Sequence, residues 1–221
     1  MTRLTFVALL LAGIVAGTTT SSMQSASTTL SVAGRPSSTP WMASSGTYVT
    51  VAWSAGGKDG GDVFTATSAD GGRTFGAPVQ VNRTRGEARV SGEIAPRVSL
   101  AARTGQSPAI TVTWNAKDGG TQIKTARSTD GGRTFGPPSS IQSSGAAGDR
   151  GWQASTLDAA GQLHAVWLDH RGMAAAGEHD MHKTEHDGVA MAQRSGLYYR
   201  GAGARSEEHT SELQSRGLIS Y

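Results

Sequence analysis

The densest chemistry in the sequence lies between residues 169 and 187. Asp169, His170 and Arg171 follow directly on the apolar run Leu163–Leu168. A rigid strand end can aim an acid and a guanidinium at a ligand, with Asp169 as general acid/base and Arg171 as a bidentate grip on a carboxylate. The same residues would serve equally as a surface pair capping a strand, and the sequence leaves both roles open. Further on stand Glu178, His179, Asp180, His182, Glu185, His186 and Asp187. Nitrogen and oxygen ligands at this density suit a divalent metal, with His179, His182 and His186 as its imidazoles. Nothing fixes their spacing, because the preceding Ala174–Gly177 is featureless. The reading is a solvated, variable loop, with no metal and no cofactor assigned. Arg85, Arg89, Glu93 and Arg97 form a second charged group.

A repeat shows what must position these residues. Ser68–Phe75 (SADGGRTF) returns 60 residues later as Ser128–Phe135 (STDGGRTF), differing only at Ala69 and Thr129. Self-similarity at such a period reports architecture. A Ser and an Asp two residues apart fold their side chains back onto nearby backbone N–H groups and nucleate a tight turn. Gly71 or Gly72 supplies positive φ without a Cβ clash. Thr74 adds a hydroxyl that closes the turn, and Phe75 anchors the next strand in the gap between neighbouring sheets. Ser128, Asp130, Gly132, Thr134 and Phe135 repeat the device. Asp70 and Asp130 therefore read as structural acids.

Strands flank each turn. Tyr48–Trp53 and Asp62–Thr67 precede the first and Phe75–Val81 follows it; Ala109–Trp114, Gln122–Arg127 and Phe135–Ile141 keep that order around the second. Alternating apolar and polar residues mark them as half-buried strands. Pro40–Ser44 and Pro96–Ala101 add a fourth strand to each unit. A third unit runs through Gln153–Leu157, Leu163–Leu168 and Gly196–Arg200. Trp53, Trp114 and Trp167 hold matched strand-end positions, which favours packing between sheets over a sugar-stacking platform. Loops on rigid sheets are the usual place for sites. The longest, Asp169–Ser195, carries the residues named first.

The pattern S-x-D-x-G-x-T-F resembles the Asp-box, or bacterial neuraminidase repeat, of sialidases and related β-propellers, over roughly residues 40–200. The resemblance implies an all-β fold: a β-propeller of four-stranded antiparallel blades, about three of them present, at about 40–81, 96–141 and 152–204, in an incomplete ring. It places the boxes on the face away from the substrate. Sialidases grip the sialic acid carboxylate with three arginines, for which Arg97, Arg150 and Arg171 are the candidates here. The sequence departs from the family in having no Arg-Ile-Pro signature near the first blade, and the resemblance implies that the Tyr–Glu nucleophile pair lies in a missing C-terminal part. Tyr198 and Tyr199 read as packing residues. The implied function is a sialidase-like, glycan-acting protein of the exo-α-sialidase type; the alternative is a noncatalytic propeller that binds or scaffolds. The implied partner is a glycan or other carbohydrate ligand.

Composition fits this class. The chain has 221 residues, 30 Gly, no Cys and a net charge of +3. Many glycines suit tight turns, and so mild a charge without a basic cluster argues against nucleic acid. Residues 1–26 read as a signal peptide, with Arg3 before the apolar Leu4–Val15. That run is short for a bilayer span, so the expectation is a secreted or periplasmic protein without stable membrane insertion. Residues 27–39, rich in Ser and Thr, read as a flexible lead-in. Asn82-Arg83-Thr84 fits a glycosylation sequon and reads as coincidence. Arg205–Ser215 (RSEEHTSELQS) back-translates in frame to a short-read sequencing adapter, and Ile219-Ser220-Tyr221 to its continuation. Residues 205–221 are therefore set aside as a non-native tail.

Overall fold

The computed structural model describes residues 27–58, 60–89, 94–118, 120–142, 149–170 and 195–201. The expected signal peptide, Arg171, His179, His182, His186 and the tail after Gly201 lie outside them. The described residues form three antiparallel sheets, each built in simple up-and-down order. The first contains β1 (Ser37–Ser45), β2 (Tyr48–Ala55), β3 (Asp62–Ser68) and β4 (Val79–Gln80). The second contains β5 (Arg97–Arg103), β6 (Gln106–Lys117), β7 (Thr121–Ser128) and β8 (Ser139–Ser140). The third contains β9 (Arg150–Leu157), β10 (Leu163–Asp169) and β11 (Gly196–Arg200). This is the all-β, bladed architecture expected, and successive first strands β1, β5 and β9 lie side by side.

The outermost strands are shorter than the sequence suggested. Phe75–Val81 and Phe135–Ile141 form ladder pairs only at Thr65–Val79 and Phe64–Gln80, and at Thr125–Ser139 and Lys124–Ser140, with single backbone bonds from Gly76, Val81, Gly136 and Ile141 on either side. Pro78, Pro137 and Pro138 lack the N–H that a longer ladder needs. The lead-in is also less free than expected. β1 starts at Ser37, and Leu30 and Val32 pack against Trp53, Ala55, Phe64 and Ala66. Arg35 ties that segment down. It donates to the carbonyls of Ala55 (2.7 Å) and Gly56 (2.9 Å) and forms an ion pair with Asp62 at 2.7 Å.

The three tryptophans are buried, and Trp114 and Trp167 each face the sheet before their own. Trp114 shares a core with Ala52, Val63 and Val81 of the first blade. Trp167 packs with Ile123 and Ile141 of the second. Trp53 has no earlier blade among the described residues and meets Leu30, Val32 and Phe75 instead. Phe135 packs against the core between blades one and two, the plugging role read from the motif.

Both turns close as the residue types require. Ser68 Oγ accepts from the Gly72 N–H at 2.8 Å and donates to Asp70 at 2.7 Å. Asp70 accepts from the N–H groups of Arg73 and Thr74, both at 2.9 Å, and from the Thr74 hydroxyl at 2.6 Å. Ser128, Asp130, Gly132, Arg133 and Thr134 repeat the set. Asn82 is buried and fully used: it accepts from the Val63 N–H at 2.8 Å and donates to Asp62 and to the Thr84 carbonyl, each at 2.7 Å. Its role is to clasp β3. Gln142 makes the matching bond to the Ile123 N–H at 3.1 Å in blade two.

Candidate functional site

Strand direction sorts the sequence candidates. β3 and β7 run into the Ser-Asp turns, so the starts of β1, β5 and β9 and the ends of β2, β6 and β10 all lie on the opposite face. Arg97 opens β5, Arg150 opens β9 and Asp169 closes β10. Register pairs Arg150 with Asp169 directly across the ladder.

Arg97 is the candidate whose side chain stays partly in solvent. Its guanidinium stacks on the Trp41 ring with Cζ 3.8 Å from the centroid. Trp41, on the neighbouring first strand, is 45% exposed. Arg97 is itself half-buried, and no described residue accepts a hydrogen bond from its guanidinium. Burial holds its pKa below the ordinary arginine value, because removing a cation from water disfavours the charged form. The result is a partly desolvated guanidinium whose face is held by an indole and whose N–H groups remain unused by the described protein. Such a group is suited to a carboxylate or another anion.

Asp169 and Arg150 are brought together by the fold. The sequence placed both at a ligand, Asp169 as acid/base and Arg150 as an anion contact. Both side chains are fully buried, and Arg150 Nε donates to Asp169 Oδ2 at 3.1 Å. Arg150 Nη1 also donates to Gln122 Oε1 at 3.1 Å, and Trp167 Nε1 to Asp169 Oδ2 at 3.5 Å. An acid/base must reach the proton it moves, and this carboxylate is enclosed by its partners. The reason is local. Two residues beyond the buried Trp, blades one and two carry Ala55 and Ala116, whereas blade three carries Asp169. The indole N–H groups of Trp53 and Trp114 lack a described acceptor; that of Trp167 has Asp169. The residue pattern D-H-R suggested chemistry, but the alignment of the three Trp positions was the better signal of burial.

Other groups collect at the same face. Asp149 accepts from the Thr121 N–H at 2.9 Å and lies 3.7 Å from Arg89. These contacts, led by the Thr121 hydrogen bond, keep its carboxyl below the usual range. His170 donates its backbone N–H to the Asp149 carbonyl at 2.9 Å. Its ring lies 5.2 Å from that of Trp152, which is 47% exposed. Sequence reasoning passed over both Trp41 and Trp152. Their strand positions were visible, but their exposure depends on how the first strands bulge. Among the described residues no group of His, Cys, Asp or Glu is placed to hold a metal ion, and no helix is long and apolar enough to cross a membrane.

No family model matches the chain, and no curated protein matches it in sequence. Solved structures similar to it include a GH93 α-L-arabinofuranosidase of Fusarium graminearum with arabinobiose, at 13% identity and TM-score 0.43 over 70% of this chain and 41% of that one. An α-L-arabinanase of Penicillium chrysogenum with arabinobiose aligns at 19% identity and TM-score 0.40, over 74% and 42%. A PL25 ulvan lyase bound to a GlcA–Rha3S saccharide aligns at 13% and 0.41, over 82% and 44%. The chain thus spans about two fifths of the length of the solved structures it matches.

Proposed function

We propose that the protein is an exported, glycan-acting propeller of the sialidase-like type, which recognises an anionic sugar through Arg97. The observation that carries this reading is the half-buried Arg97 guanidinium, stacked on Trp41 and without an acceptor among the described residues. An arginine buried for structure alone is normally paired, because an unpaired buried charge is costly. Arg150 illustrates the paired case and Arg97 the other. A sugar carboxylate would accept two parallel N–H groups from Arg97, while Trp41 holds the guanidinium plane in orientation.

The enclosure of Asp169 favours a second reading, in which the described part binds a glycan without cleaving it. Calorimetric titration of the full chain with sialyllactose and with lactose separates these possibilities from no glycan recognition at all. The expected result is tighter binding of sialyllactose, with the preference lost in Arg97→Ala. Equal affinity for both sugars, unchanged by that substitution, would remove the anionic-sugar reading. Release of the fluorophore from a methylumbelliferyl sialoside reports whether binding is followed by hydrolysis.

A further inference from the structure

Trp152 is out of keeping with its backbone. Its φ is +49°, a left-handed conformation that a bulky residue rarely adopts. It lies in a bulge of β9, where the register against β10 shifts between Val166 and Leu168. β1 bulges at the matching place, between Ser38 and Trp41, with Thr39 at φ +51°. The bulge is thus shared by the first strands of blades one and three, whereas the large aromatic within it belongs to blade three. Bulges and strained residues gather at sites where a side chain must be re-aimed. Here the bulge leaves the indole half in solvent, beside His170 at a ring separation of 5.2 Å and an angle of 49°. Asp149 and Arg89 supply polar groups at the same strand end.

We infer that Trp152, flanked by His170, is a stacking subsite for a pyranose ring of the glycan, separate from the Arg97 contact and carrying the uncharged part of the ligand. A pyranose offers an apolar C–H face and a rim of hydroxyls. The flat indole meets the first, and the Asp149 carboxylate and Arg89 guanidinium are hydrogen-bonding partners of the kind the second needs. The three buried tryptophans cannot take this role, since Trp114 and Trp167 are enclosed between sheets and Trp53 is covered by Leu30 and Val32. The inference rests on the glycan reading given above.

Titrating the full chain and its variants with sialyllactose and lactose, by calorimetry and by tryptophan fluorescence, tests it. Trp152→Ala is expected to weaken sialyllactose binding about tenfold or more, the scale of losing an interface hot spot. Trp152→Phe keeps an aromatic face and should stay within a few-fold of the parent, which also guards against a folding defect in the alanine variant. Sialyllactose binding that is lost in Arg97→Ala but unchanged in a folded Trp152→Ala overturns the subsite and leaves the anionic reading standing. Binding lost in Trp152→Ala but indifferent to Arg97→Ala supports the subsite and removes the anionic reading. A parent chain that binds neither sugar overturns both.

Discussion

Replacing Gly72 or Gly132 by alanine compares one backbone conformation in two surroundings. The residues occupy the same place in the repeated turn and have φ of +88° and +87°. The cost of putting a Cβ into the left-handed region, roughly 1–2 kcal/mol, is therefore common to both. What differs is the space outside. A Cβ on Gly72 meets nothing within 4 Å, whereas one on Gly132 comes within 2.6 Å of Thr67 Oγ1 and 3.2 Å of Ile110 Cδ1. Overpacking of that kind adds about 1–3 kcal/mol, because turning Thr67 Oγ1 away breaks its 3.0 Å hydrogen bond with Thr50 Oγ1 and leaves the Thr67 Cβ still 3.4 Å off. Gly72→Ala should thus cost roughly 1–2 kcal/mol and Gly132→Ala roughly 2–5 kcal/mol. Urea unfolding followed by tryptophan fluorescence measures both, and the difference should appear as a gap of several degrees in thermal midpoint, at about 2–4 °C per kcal/mol for a chain of this size. Equal losses, or a larger loss at Gly72, would refute the packing of the second turn against the first blade.

Two further predictions concern the acids. Burial pushes the Asp130 carboxyl up, but hydrogen bonds from the side chains of Thr134 and Ser128 and the backbone N–H groups of Thr134 and Arg133 outweigh it and hold the pKa at about 2. A depressed carboxylate stabilises the fold above its ordinary value of 3.8 and loses that contribution as pH falls through about 2. The urea midpoint should accordingly drop between about pH 4 and 2, and Asp130→Asn should lower it at neutral pH while flattening that acid limb. At the buried pair, Asp169→Asn should destabilise the chain by about 3–5 kcal/mol, as breaking one side of an enclosed ion pair does. Denaturation curves that match the parent would instead return Asp169 to the list of accessible acids.

The blade pattern was legible because its signals are local. Alternation in Tyr48–Trp53 and Ala109–Trp114, and the self-bonding of Ser68 with Asp70, need no distant partner to be read. Observed strand starts such as Asp62, Leu163 and Gly196 fall where the sequence put them. The outer strands are shorter than alternation alone implies because Pro78, Pro137 and Pro138 interrupt their ladders. The site was harder. Whether Asp169 meets solvent depends on Arg150, 19 positions away and brought beside it by strand pairing, and on Gln122, 47 positions away, which the neighbouring blade brings to Arg150. The exposure of Trp41 and Trp152 likewise depends on bulges, which leave little trace in alternation. Arg97 was placed by its position just after Pro96 at a strand start, a local signal, while its stacking partner on β1 was not.

The direction in which the tryptophans point has a consequence for assembly. Because Trp114 and Trp167 each reach toward the preceding sheet, the two sides of a blade are unlike, and the described blades join front to back as in a heterologous interface. Contacts of that kind either close into a ring or run on as an open filament. The front of the first blade, at Trp53 and Phe64, is covered by Leu30 and Val32, with Arg35 locked to Asp62. Any surface packing on this front would first have to displace that short segment.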